Sequence, residues 1–267
     1  MNTKKVIWAI AIVLGFAANT NAQSVNWAKD GNSYYQNVGG EIVSITLPKS
    51  ERKVIIGSDL LSQTNGKPAI RIRSFQLSND GTKALIYTNS KKVWRYDTRG
   101  DYWVADMTTN KLVQIGKDKP ASSLMFAKFS PDGSKVAYVS GHNIYVEDLA
   151  TGSNKALTTD GTTRLINGTF DWAYEEEFDC RDGFRWSPDG KSIAYWQIDA
   201  RKIRNFLMIN NTDSIYSYNV PVEYPKVGQD PSACKVGVVD IATAQTKWLS
   251  VPGSEIQNYI PRMDWVP

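Results

Sequence analysis

All-β is the class this sequence predicts, on three observations: a recurring Asp-Gly turn, alternating apolar runs that follow each copy, and no helix-period stretch of useful length beyond the N-terminal segment. The turn appears as Trp27-Ala28-Lys29-Asp30-Gly31, Leu77-Ser78-Asn79-Asp80-Gly81, Phe129-Ser130-Pro131-Asp132-Gly133 and Trp186-Ser187-Pro188-Asp189-Gly190, and a fifth copy starts at Met263-Asp264-Trp265-Val266-Pro267. Asp-Gly between two alternating runs marks a tight hairpin, because its central residues must accept positive φ.

Each turn feeds a strand: Lys83-Ala84-Leu85-Ile86-Tyr87, Lys135-Val136-Ala137-Tyr138-Val139 and Ser192-Ile193-Ala194-Tyr195-Trp196. A second hairpin follows, with strands over Tyr102–Asp106, Ile144–Asp148 and Val236–Asp240, and a last strand ends near Leu112, Leu157 or Leu249. Four strands per unit, with turn glycines at 31, 81, 133 and 190, describe the blades of a β-propeller. The fourth unit carries an insertion from about Asp199 to Lys235, rich in Asn, Tyr and Pro, of the kind that serves function or an interface. The arithmetic gives an incomplete propeller of about four blades and the start of a fifth. An arc leaves its terminal sheets unpartnered, so the expectation is a portion of a longer protein.

The first segment reads as an export signal over residues 1–22. Lys4 and Lys5 precede an apolar run from Val6 to Ala18, and Thr20-Asn21-Ala22 offers a cleavage site. The run is too short for a confident membrane span, which needs about 20 apolar residues, and Gln23 after Ala22 argues against a lipoprotein. The mature region is then 23–267, exported to the periplasm or the exterior.

Composition narrows the function classes. An apolar content of 42% over 267 residues supports a real core and excludes whole-chain disorder, and 19 Gly with 11 Pro excludes collagen-like sequence. The formal charge of +4 falls to +2 once Lys4 and Lys5 leave with the signal, and no basic block interleaved with aromatics appears, so a nucleic-acid partner is not expected. A single histidine, His142, nearly closes off histidine-based metal sites and sits in a Gly-His-Asn turn rather than a catalytic setting. No cofactor or metal is expected. Cys180 and Cys234 either pair in an oxidising compartment or remain buried free thiols.

Two motif-like strings are decoys. Gly190-Lys191-Ser192 resembles the end of a phosphate loop, but Arg185 stands where the first glycine belongs, and a strand follows rather than a helix. The same stretch fails as a nucleophile elbow because Ala194 replaces the second glycine, and no Gly-x-Ser-x-Gly occurs anywhere.

The constellation with chemical content is Asp171-Trp172-Ala173-Tyr174-Glu175-Glu176-Glu177-Phe178. Three adjacent carboxylates flanked by aromatics repel one another unless a cation or a proton is supplied. In a strand Glu175 and Glu177 would share a face, and in a short helical turn all three would splay. A free α-amino group, with a pKa of about 8, is a fitting guest. The alternative is an acidic loop paired with Arg181 or Arg185.

The string Asp171-Trp172-Ala173-Tyr174-Glu175-Glu176-Glu177 resembles the double-glutamate motif of the dipeptidyl peptidase IV group of serine peptidases. Lys92-Val93-Trp94-Arg95, Asn143-Ile144-Tyr145-Val146, Trp186-Ser187-Pro188-Asp189-Gly190 and Tyr224-Pro225-Lys226-Val227-Gly228 agree in order and spacing. The resemblance implies an eight-bladed propeller capping an α/β-hydrolase domain, with this chain holding about the first half of the propeller. It implies that Glu176 and Glu177 hold the substrate's free amino terminus, that Arg95 reaches a substrate carbonyl, and that Glu175 is a structural neighbour. The partners it implies are peptides with a free N-terminus, a hydrolase domain following Pro267 that carries the Ser/Asp/His triad, and a homodimer through the 199–235 insertion. This chain alone is then expected to be catalytically inert. Release of tripeptides instead of Xaa-Pro or Xaa-Ala dipeptides, and a stand-alone secreted propeller that binds without hydrolysis, are the competing readings.

Overall fold

The computed structural model describes residues 25–266, so the export signal read in residues 1–22 lies outside the described residues. The chain divides into two compact units, with the boundary between Ile55 and Ile56.

The first unit is one four-stranded sheet of β1 (Asn26–Trp27), β2 (Ser33–Val38), β3 (Glu41–Thr46) and β4 (Glu51–Ile56), in that spatial order. Ile42, Val43 and Ile45 of β3 are its buried side chains. The first repeat turn supplies its opening hairpin, where Asp30 accepts the Asn32 N–H at 2.9 Å and Gly31 takes φ 67°.

The second unit begins with a single helical turn, α1 (Ser58–Leu61), and then lays down two blade-like sheets. One contains β5 (Ser74–Leu77), β6 (Lys83–Val93), β7 (Tyr96–Asp106) and β8 (Lys111–Ile115), and the next β9 (Leu124–Phe129), β10 (Lys135–Ser140), β11 (Asn143–Asp148) and β12 (Asn154–Ala156). The two join edge to edge where Arg99 and Gly100 of β7 pair with Met125 and Leu124 of β9. A third sheet follows from β13 (Leu165–Asn167), with the helix α2 (Trp172–Phe178) next in the chain. It is completed by β14 (Phe184–Trp186), β15 (Ser192–Asp199), β18 (Ala233–Asp240) and β19 (Thr246–Trp248). The insertion forms its own two-stranded hairpin, β16 (Asn205–Asn210) and β17 (Tyr218–Glu223). The strands expected from sequence are all present.

Inner strands read as continuous apolar runs because both of their faces are covered. In β10, Val136 and Tyr138 join one buried cluster with Leu85, Tyr87 and Val104, while Ala137 and Val139 join another with Ile144, Phe184 and Tyr195. That is the two-residue period of a strand sandwiched between neighbouring sheets.

The repeat turn is longer than the tight hairpin expected. In the second copy five residues separate β5 from β6, and Ser78 carries the closure: its Oγ donates to Asp80 Oδ1 at 2.5 Å and accepts the Lys83 N–H at 3.0 Å. Ser130 and Asp132 repeat this pattern, as do Ser187 and Asp189. These hydrogen bonds to the ionised carboxylate hold Asp80 and Asp132 down at about 2. The small polar residue of the repeat is thus a hydrogen-bonding hub. The Gly190-Lys191-Ser192 decoy is one of these turns, leading into β15.

Candidate functional site

The acidic segment folds as a helix, which decides between the two backbone readings the sequence left open. Asp171 is its N-cap: the backbone there is extended, and Oδ1 accepts the Tyr174 N–H at 3.1 Å. Ser232 donates to the other carboxylate oxygen of Asp171. At the far end Asp179 adopts a left-handed conformation, φ 58°, and the Tyr174 carbonyl accepts from Asp179 and, at 3.1 Å, from Cys180. Aspartate tolerates this conformation better than most residues.

What pins α2 to the sheet is aromatic packing. Tyr174 is buried and stacks on Phe170 at 5.5 Å between centroids, with Phe178 at 5.4 Å and Tyr259 at 5.8 Å. Phe170 in turn packs on Trp196 at 5.3 Å. Cys180 and Cys234 belong to this same cluster as free, buried thiols.

Successive residues on a helix turn by about 100°, so the three glutamates point to three environments. Glu175 is buried, Glu176 is half-buried and Glu177 is exposed. Burial pushes the Glu175 carboxyl up to about 7, with Arg181 opposing and Glu176 and Asp171 adding to the rise, and its Oε2 finds no hydrogen-bond partner. Glu176 meets the remaining predicted site residue: its Oε2 lies 3.0 Å from Arg95 Nε. Arg95 sits with Trp94 at the two-residue tip of the β6–β7 hairpin, where Trp94 takes φ 54°. Its side chain remains 76% exposed, so the ion pair stabilises the fold by no more than about 1 kcal/mol. Glu177 makes no ion pair among the described residues. Arg95 and Glu176 therefore meet across about 80 residues of sequence, and Glu177 follows Glu176 on the same helix.

The loop-pairing alternative is only partly realised. Arg185 pairs with Asp182 at 3.3 Å, and Arg181 pairs with Asp179 rather than with a glutamate side chain. Arg181 nonetheless donates through Nη2 to the Glu175 carbonyl at 3.3 Å and lies 3.6 Å from the Tyr96 ring centroid. Sequence reasoning missed this contact, and no local pattern would have shown it.

The hairpin that carries Arg95 is shaped by Gly100. A Cβ there would stand 2.3 Å from Tyr87 Cε2 and 2.6 Å from the Thr88 carbonyl oxygen, so β7 can cross close to Tyr87 only without a side chain. Tyr87 uses that approach to donate to the carbonyls of Asp97 at 2.8 Å and Arg99 at 2.7 Å.

Antiparallel sheets in series with an arginine-facing glutamate helix define a propeller-type all-β protein whose candidate site collects charge from a hairpin tip and a helix. The chain belongs to the dipeptidyl peptidase IV N-terminal region family, whose model matches residues 78–267. Dipeptidyl aminopeptidase B from Saccharomyces cerevisiae is 33% identical over 164 residues, 60% of this chain and 19% of that protein. Prolyl endopeptidase FAP from Mus musculus is 27% identical over 241 residues, 90% of this chain and 30% of that protein. The crystal structure of Porphyromonas gingivalis dipeptidyl peptidase 4 superposes with a TM-score of 0.83 at 25% identity, covering 93% of this chain and 35% of that one. The chain thus spans between about a fifth and a third of the length of these relatives.

Proposed function

We propose that this chain is the substrate-gating, amine-recognising portion of an exported serine-type dipeptidyl aminopeptidase that releases Xaa-Pro or Xaa-Ala dipeptides. In this reading Glu176 and Glu177 hold the free α-ammonium group of the peptide, Arg95 takes the carbonyl before the scissile residue, and a hydrolase domain beyond Pro267 supplies the nucleophile. The observation that carries it is the meeting of Arg95 and Glu176 at 3.0 Å, from a hairpin tip and a helix far apart in sequence.

The chemistry is that of charge and distance. Before a peptide arrives, Arg95 offsets the repulsion that Glu176 feels from its neighbours. An incoming ammonium presents three donors to the two carboxylates, leaving the guanidinium for a carbonyl oxygen. Fixing the amine at one point sets how many residues reach the nucleophile, and the binding energy orients the scissile bond. The insertion with its β16–β17 hairpin is assigned to a homodimer contact: Leu207, Ile209, Ile215 and Tyr216 are exposed apolar side chains on one excursion.

Glu177→Gln in the full-length protein tests the reading. Leaving an ammonium poorly compensated costs about 2 to 5 kcal/mol, so kcat/KM for a chromogenic dipeptide should fall steeply while the thermal midpoint stays near the parent's. Equal activity in the variant would refute the assigned role.

A further inference from the structure

We infer that Arg181 is a positioning residue for the amine-binding site, holding the Arg95 turn against the glutamate-bearing helix through the ring of Tyr96. The inference rests on the function proposed above and adds a residue to it.

The Arg95 turn needs such a hold. It lies at the end of a hairpin whose register shifts between Thr88 and Lys91 and again between Lys91 and Lys92, so the ladder is interrupted just before the tip. The ion pair to Glu176 is too exposed to fix the tip by itself. Tyr96, adjacent to Arg95, is 47% exposed, yet one face of its ring is covered by the Arg181 guanidinium.

Arg181 is placed to act as a clamp because its two terminal nitrogens hold α2 while the flat face of its guanidinium lies on the neighbouring hairpin. Nη1 pairs with Asp179, the left-handed residue that closes α2. Nη2 donates to the Glu175 carbonyl inside that helix. The flat face lies on Tyr96 of β7. The side chain is only 16% exposed, which strengthens a cation–π contact relative to one in open water. A lysine offers a point charge without the plane or the fork, so it cannot make the three contacts together.

The test uses the full-length enzyme with Arg181→Ala, Tyr96→Ala, the double variant and Arg181→Lys. Each single alanine variant should raise KM by about threefold to thirtyfold, the span of one partly desolvated cation–π contact, with kcat within about twofold. The double variant should be no worse than the more affected single, because both remove the same contact. Lysine should not restore KM. Amide hydrogen exchange over residues 92–97 should speed up in all of them. Tyr96 is half exposed, so its variant reports even if Arg181→Ala folds poorly.

An unchanged KM in Tyr96→Ala, or single effects that multiply in the double variant, overturns the inference. So does faster exchange at the tip with KM unmoved. If Glu177→Gln impairs the enzyme while these variants do not, the amine-site reading stands and the role of Arg181 falls. If Glu177→Gln leaves KM untouched, the amine-site reading falls and takes this inference with it.

Discussion

Glu175 shows how one step along a helix changes a carboxylate's role. Glu177 is exposed and Glu176 half-buried against Arg95, but the carboxyl of Glu175 is buried, with Oε2 unpartnered and the group raised to about 7. The folded-state value lies above the ordinary 4.5, so the native state holds its proton over a window where the unfolded chain has lost it. Stability from this group is full below pH 4.5 and falls as the pH climbs through about 7, by about 3 kcal/mol. Glu175→Gln should therefore flatten the decline in stability between those limits and stabilise the protein above pH 7, read from urea midpoints across that range. A parallel decline in variant and parent would show that the carboxyl is not the source. The sequence also holds two Asn-x-Thr sequons, Asn167-Gly168-Thr169 and Asn210-Asn211-Thr212, and residue-scale burial sorts them. Asn167 is fully buried and donates to Asp160 at 2.9 Å, so it is inaccessible in the folded protein, whereas Asn210 ends the β16 strand of the insertion.

At the scale of elements, α2 is too short to hold itself together, since isolated helices of two turns are unstable in water. Its seven residues persist because Asp171 caps one end, Asp179 closes the other and Tyr174 is buried beneath. The insertion contributes here as well: Tyr224 packs on Trp172 with centroids 4.3 Å apart, and Ser232 donates to the capping carboxylate. Asp171→Ala removes the cap and leaves the Tyr174 N–H and the Ser232 hydroxyl without it, a loss of about 1 to 2 kcal/mol. The denaturation midpoint should drop accordingly, and on the proposed amine-site reading substrate KM should rise with it because Glu176 and Glu177 lose their platform. A midpoint within error of the parent's would mean that the aromatic cluster alone sets the helix.

For the whole molecule, a similar antiparallel plan recurs in both compact units, with four strands in each of the first three copies and five in the last, and what differs between copies is what has been added. The β6–β7 hairpin extends to 11 residues per strand and delivers Arg95, while the third sheet of the second unit admits α2 and the 199–235 insertion. A cavity of about 830 Å³ opens at the root of that insertion, between Phe206, Tyr224, Arg204 and Glu255. If the exposed hairpin is a homodimer contact as proposed, Ile215→Asp should convert the full-length protein to monomer in sedimentation velocity without moving its melting temperature. A parent already monomeric at micromolar concentration would sink that assignment.

The repeat turns, the strands after them and the acidic string were legible in the amino-acid order because each rests on local chemistry: positive φ at glycine, two-residue alternation, and like charges crowded together. The resemblance carried by Asp171 to Glu177 and by Arg95 named the family that residues 78–267 match. What the order could not decide was whether the glutamates lie on a strand or a helix, since seven residues fit either period and the choice falls to a cap, a left-handed aspartate and a buried tyrosine. Nor could it join Arg181 to Tyr96, 85 positions away, because that contact exists only where the long β6–β7 hairpin meets the segment that follows α2. Local sequence fixes backbone preference, but burial and long-range contact are properties of the packed chain, and in this protein they separate one glutamate from the next.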